Sequence, residues 1–353
     1  MRRFTILAVT SLVAVASLVT VAGGSPANAA SDPVTITLVT HDSFAVSKPV
    51  LRAFEHANNV KVKVLSQGDA GAALNQAILT KSNPLGDVFF GVDNTFLSRA
   101  VNAGIFTKYA PAALANVPAE YQLDRTQHVT PVDHGDVCIN YDKQWFTDHH
   151  LAVPKTLDDL TKPAYKGQLV VEDPATSSPG LAFVLATVAR YGANGWRGYW
   201  EKLRANDVKV DDGWEHAYDG DFTQGANPGQ YPLVVSYASS PPAAVYFADP
   251  HPATSPVGTM LDSCFRQVEF AGVLRGTDHP KEAEALVDFM LSPKFQQDVP
   301  LQMFVFPVVT GTKLPAVFEK FAEVPTTPLT LSTKTIGTHR DTWIEQWRST
   351  VLG

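Results

Sequence analysis

Three stretches hold the residue types that could do chemistry. "DDGWEHAYDGDF", residues 211–222, sets five carboxylates around one Trp and one Tyr. As a calcium loop starting at Asp219 it fails, because Gly is missing at the sixth place and Glu at the twelfth. What remains is an aromatic face among acids, suited to a flat cation, with Asp211, Asp212, Asp219 and Asp221 as solvated turn residues. "EDPATSSPGLAF" and "SYASSPPAAVY" share a different signature. In each, a Ser followed by Pro should open a helix, with Ser178 and Ser240 as N-caps. Hydroxyls and free N–H groups at a positive helix end can receive an anion or a polar group. Capping alone would explain one such turn. Two turns in one region, each after a buried strand, point to a site, because ligands bind off the carboxyl ends of such strands.

No G-x-S-x-G, H-E-x-x-H, P-loop or G-x-G-x-x-G motif occurs. The ten His are scattered, and "DHH" at residues 148–150 reads as a solvated loop. No carboxylate pair can be given acid and base roles from the sequence.

Alternating strands and helices must position these residues. "VTITLVT", "VKVKVLS" and "GDVFFGV" read as strands. The helical patterns "SKPVLRAFEHA", "DAGAALNQAILTK" and "DNTFLSRAVNAG" are interleaved with them, the last closed by Gly104. Strand–helix alternation predicts an α/β chain with a mainly parallel sheet. "DVCINYD", "GQLVVED", "YPLVVSY" and the long "CFRQVEFAGVL" continue the strands. "SPGLAFVLATVARYG" follows as a helix, "PKEAEALVDFMLSPKFQQDV" as one amphipathic helix, and "DTWIEQWRSTVL" closes the chain.

Arg2 and Arg3, the apolar run "FTILAVTSLVAVASLVTVA" and the A-x-A site in "SPANAA" read as a cleaved signal peptide, residues 1–30. The mature chain is then expected to be soluble, monomeric and extracytoplasmic, in the periplasm or secreted. Its formal net charge moves from −7 to −9 as the two Arg leave with no acid. An acidic surface argues against nucleic acid. The length suits two domains or a bilobal unit. Cys138 and Cys264 are the two cysteines. In an oxidising compartment they read first as a disulfide, and alternatively one is a free nucleophile.

The ordered segments "THDSFAVSKPVLRAFE", "GDVFFGVDNTFLSRAVNAGIF", "VEDPATSSPGLAFVLATVARYG", "DGWEHAY", "LVVSYASSP", "RQVEFAGVL" and "LPAVFEKFAEVPTTPL" span nearly the whole mature chain. Together they resemble the extracytoplasmic thiamine-binding proteins of ABC uptake systems, within a cluster that also serves ferric ion and spermidine. The resemblance implies a two-lobed type II periplasmic-binding fold, with residues 31–135 plus 270–353 as lobe 1 and 136–269 as lobe 2. It implies thiamine or its mono- or diphosphate as the transported ligand, no cofactor, and delivery to a membrane permease. By position, the family's pocket falls on Asp69, Ala70, Ser177, Ser178, Trp214, Tyr237, Ala238, Ser239 and Ser240, with His41 and Asp42 facing the cleft. The family often has an aromatic residue at His41, and Trp and Tyr near "MFVFP", where Phe304 and Phe306 stand.

Two rivals follow from the same fold. One is a binding protein for a ferric ion or polyamine. Ferric sites usually need a Tyr pair, and "SYAS" offers Tyr237 alone. The other is a thiamine-degrading enzyme with a cleft Cys, for which Cys138 would be the nucleophile. A Cys138–Cys264 disulfide would remove it, and the chain is taken as a non-enzyme.

Overall fold

The computed structural model describes residues 32–353, so the expected signal peptide lies outside the described residues. Val34–Gly353 forms one compact unit. Its strands are β1 (Val34–Thr40), β2 (Val60–Ser66), β3 (Val88–Asp93), β4 (Thr130–Asp142), β5 (Leu169–Glu172), β6 (Lys209–Asp211), β7 (Leu233–Tyr237), β8 (Val257–Val273) and β9 (Phe306–Pro307). They build one sheet in the order β2-β1-β3-β8-β4-β7-β5-β6, with β9 on β4. The two-lobed α/β class is as expected.

The sheet is mixed rather than mainly parallel. β1 pairs parallel with β2 and β3, and β5 pairs parallel with β6 and β7. β4 and β8 pair antiparallel with each other and with the strands beside them. They carry the chain from one half to the other and back, so they must run oppositely. Their 13 and 17 residues would reach roughly 40–55 Å when extended, enough to serve both halves. Their pairing shifts register twice, between Pro131 and Asp133 and between Val137 and Ile139. Cys138 sits in the second shift and is joined to Cys264 by a disulfide.

Local sequence explains most element ends. Asp69 caps the helix Ala70–Leu79, and Gly104, at φ 69°, closes Leu97–Ala103. Gly192 has φ 70° and breaks Ser178–Ala205 where the apolar pattern of "SPGLAFVLATVARYG" stops. The helix expected from Pro280 onward is two helices, Pro280–Met290 and Pro293–Gln302. Pro293 disfavours helical geometry at Ser292, whose side chain caps the second helix instead.

One core cluster lies against β1 and β3, around Phe54, Phe90 and Leu286. A larger one includes Phe183, Trp200 and Trp347. There the indoles of Trp200 and Trp347 meet edge to face at 5.4 Å and tie the last helix, Thr333–Val351, to Ser178–Ala205. Among the described residues, no helix is long and apolar enough to cross a membrane.

Candidate functional site

The strand ends and helix starts surround a cavity of about 660 Å³, the size range of small-molecule sites. Its aromatic side is built from the stretch that the sequence singles out. Trp214 stacks on Tyr218 at 5.0 Å and 15°, and Tyr218 leans on the buried Phe222 at 5.4 Å. Tyr237 meets Trp214 edge-on at 6.3 Å. The indole N–H donates to Ser236 Oγ at 3.0 Å, which fixes the ring plane. A π-helical turn, His216–Asp221, puts Tyr218 and Asp219 on the same cavity as Trp214 and Glu215.

Asp69 joins the two halves. Its Oδ1 accepts from Ala70 N at 2.5 Å, and its Oδ2 accepts from Trp214 N at 3.0 Å. Burial raises its carboxyl above the usual range, opposed by hydrogen bonds from Trp214, Ser177 and Ala70 and by the nearby His41. Beside it, Ala72 N donates to Thr176 O at 3.1 Å. A Cβ on Gly71 would lie 2.6 Å from that same oxygen, so only glycine allows this approach. Ser43 Oγ reaches Glu215 Oε1 at 3.5 Å across the same junction.

The floor holds a row of acids. Glu269 on β8 lies opposite Asp93 on β3 and Asp133 on β4. All three are buried, and three adjacent negative charges there would be strongly unfavourable. Burial, then Glu269, pushes Asp133 well above the carboxylate range. Burial also raises Asp93 to about 7, against its hydrogen bonds from Thr95 and with Glu269 adding to the shift. Burial would raise Glu269 too, but His41 and Asp133 hold it below its usual value. Glu269, which lines the cavity, is therefore the acid of the row that ionises most readily. His41 Nε2 lies 3.3 Å from Glu269 Oε1. Burial would lower the imidazole, but Glu269 overrides this and raises it. The ring fits because Gly91, at φ 103°, has no side chain; a Cβ there would lie 2.2 Å from His41 Cδ2.

This row gives a pH signature. The folded state holds a proton on Asp93 that the unfolded chain releases near pH 4. The associated stability is complete below that pH and is lost as pH rises towards about 7. Asp93→Asn keeps an Oδ1 to accept from Thr95 N, Thr95 Oγ1 and Phe96 N. Urea melts at pH 5 and 8 should show wild type losing on the order of 1 kcal/mol more than this variant. Equal losses would mean that Asp93 is ionised throughout.

Eight of the twelve expected ligand-binding residues line the cavity: His41, Asp69, Ala70, Ser178, Trp214, Tyr237, Ser240 and Phe304. Four do not. Asp42 is exposed to solvent, its N–H bonded to Gly68 O. Ser177, not Ser178, is the N-cap, and its buried Oγ accepts from Gly180 N. Ser239, not Ser240, takes the cap position of Ser240–Tyr246, with its Oγ donating to Phe304 O at 2.5 Å. Ala238 is buried beside the disulfide. In both turns the helix begins one residue earlier than the Ser–Pro spacing suggests, because Pro fits the second helical position as well as the first. Phe306 stacks on His134 at 5.4 Å.

The acidic stretch divides. Asp212 is exposed and pairs with His216 at 2.6 Å. Asp211 and Asp221 instead hold Lys209, and burial raises Asp211 to about 6. Asp219 lines the cavity, as do Glu215, Tyr218 and Glu269. The signal for Glu269 was one acid inside the otherwise uncharged run that follows Arg266 in "RQVEFAGVL", which has no reason to be there unless it faces a site or a partner. Cys138 and Cys264 are fully buried and bonded to each other, so the thiol required for a cleft nucleophile is not available.

The comparisons with known proteins agree with this geometry. A family model described as "Bacterial extracellular solute-binding protein" matches residues 83–326. The Thiamine-binding periplasmic protein of Escherichia coli K12 is 32% identical over 321 residues, covering 90% of this chain and 93% of its own. That of Brucella suis is 30% identical over 344 residues, covering 94% and 96%. A solved "Periplasmic thiamin binding protein" superposes with a TM-score of 0.79 at 30% identity, covering 90% of this chain and 96% of its own. The iron-bound HitA of Pseudomonas aeruginosa shares the fold at a TM-score of 0.72 and 20% identity. This chain therefore belongs to the bacterial extracellular solute-binding proteins.

Proposed function

We propose that the protein captures thiamine outside the cytoplasm and delivers it, as a monomer and without catalysis, to an ABC permease for import. The observation that carries this reading is the aromatic tier of Trp214, Tyr218 and Tyr237 set in one cavity with Asp69 and Glu269. Thiamine joins a flat aminopyrimidine to a cationic thiazolium. An aromatic face attracts such a cation, and buried carboxylates complement it. The thiamine-binding relatives at 30–32% identity support the choice. We further propose that residues 31–135 plus 270–353 and residues 136–269 act as the two lobes, closing over the ligand about β4 and β8. Calorimetry of the mature protein with thiamine tests the reading: a saturable heat at one site is expected, and flat heats would overturn it.

Closure makes a second prediction. Gly71→Ala sets a methyl against Thr176 O where a Cβ has 2.6 Å. Neither atom belongs to a flexible side chain, so the junction must open. Thiamine should then bind at least tenfold more weakly, mainly through faster dissociation in stopped-flow fluorescence. An unchanged off-rate would mean that this contact plays no part in holding ligand.

A further inference from the structure

Resting on the thiamine reading, we infer that Phe247 covers the bound ring system at the mouth of the cavity, together with Phe304, and so sets how long the ligand stays. The rings are common to thiamine and its mono- and diphosphate, so the role holds for all three. Phe247 lines the cavity, yet it is 73% exposed to solvent. Single exposed apolar side chains are ordinary on a protein surface. One that borders a ligand cavity is placed to be buried by whatever enters, and an aromatic ring suits a flat, cationic occupant.

The short helix Ser240–Tyr246 builds this position. Phe247 continues its last turn, with its N–H donating to Ala243 O at 3.0 Å. Ala243, Ala244 and Ala248 line the cavity beside it, and their small side chains leave room for a flat ligand next to the ring. Both ends of the helix hold Phe304. At its start, Ser239 Oγ donates to Phe304 O at 2.5 Å. At its end, the rings of Tyr246 and Phe247 lie 5.7 and 5.1 Å from the Phe304 ring. Phe304 has φ 53°, a left-handed backbone that a bulky residue rarely adopts. Such strain persists where the surroundings hold it, and it gathers at ligand clamps. Behind Phe304, the buried Phe318 stacks on its ring at 6.0 Å and 21°.

Phe247 falls in residues 136–269 and Phe304 in residues 270–353, so the pair spans the two proposed lobes. Trp214 is held by Tyr218 and by its hydrogen bond to Ser236. Phe247 is exposed, and exposed side chains change rotamer on the ps–ns timescale. A mobile ring at the rim does not obstruct entry, but a bound ligand must displace it and its contact with Phe304 to leave. Tyr246 supplies a control within the same cluster: it touches Phe304 and Phe247 but does not line the cavity.

Stopped-flow fluorescence of the mature protein with thiamine measures both rate constants. Phe247→Ala should raise the dissociation rate at least fivefold, with association no slower than in wild type. Phe247→Tyr keeps a ring and should dissociate within twofold of wild type. Tyr246→Ala should also stay within twofold. Thermal melts check folding, and Phe247→Ala should melt with wild type because the position is exposed. Should Phe247→Ala not fold, Phe247→Leu takes its place, with at least a threefold rise expected. An unchanged dissociation rate in the folded variant, or an equal rise with Tyr246→Ala, overturns the role of Phe247 and leaves the thiamine reading standing. No binding by wild type overturns the thiamine reading, and the inference falls with it.

Discussion

Replacing Trp214 with alanine is expected to weaken thiamine binding by about 2 kcal/mol, roughly a thirtyfold rise in Kd. The indole is held by a hydrogen bond to Ser236 Oγ on one side and by Tyr218 behind it, so its free face meets the cavity. Truncation removes the stacking surface and the electrostatic attraction for a thiazolium. It also leaves Tyr218 without the ring that covers it. Trp214→Phe keeps a face but loses the hydrogen bond that orients it, so its loss should be smaller, near tenfold. Titration calorimetry at fixed salt checks both, with thermal melts to confirm folding. An affinity for Trp214→Ala within twofold of wild type would take Trp214 out of the ligand's path.

Removing the disulfide should produce the larger effect on folding. Cys138 and Cys264 are 126 residues apart in sequence and join β4 to β8 at the register shift between Val137 and Ile139. Crosslinking so long a loop restricts the unfolded chain, and the loss is expected to cost about 2–5 kcal/mol. Alanine at both positions suits the site, since both sulfurs are buried next to Ala238. Urea melts of Cys138→Ala/Cys264→Ala should match those of fully reduced wild type, both well below the oxidised protein. Coincident midpoints for oxidised wild type and the variant would show that the bond contributes nothing. Thiamine titration of the folded variant separates this role from chemistry: retained binding fits a structural bond.

The parts of the site that were legible beforehand are those set by local rules. A Trp and a Tyr four residues apart, Trp214 and Tyr218, share one side of a helical turn. The alternation of strands and helices defined the α/β class, because hydrophobic period depends only on near neighbours. The caps at Ser177 and Ser239 were missed by one residue, since Ser-Ser-Pro and Ser-Ser-Pro-Pro satisfy capping rules in either register. The antiparallel long strands were missed because strand direction is a property of pairing between segments more than a hundred residues apart, such as Asp142 with Val257.

By itself the sequence determined the fold class, the aromatic face around Trp214 and the pairing chemistry open to two cysteines. Only the tertiary structure decided which acids face the ligand. Asp211, Asp219 and Asp221 look alike in a row, yet two clamp Lys209 and one lines the cavity. Glu269 is held in its ionised form by His41 and Asp133, one just past the end of β1 and the other on β4. The physical reason is that a carboxylate's role depends on its distance to other charges and to water, and folding sets both through contacts between segments far apart in the chain.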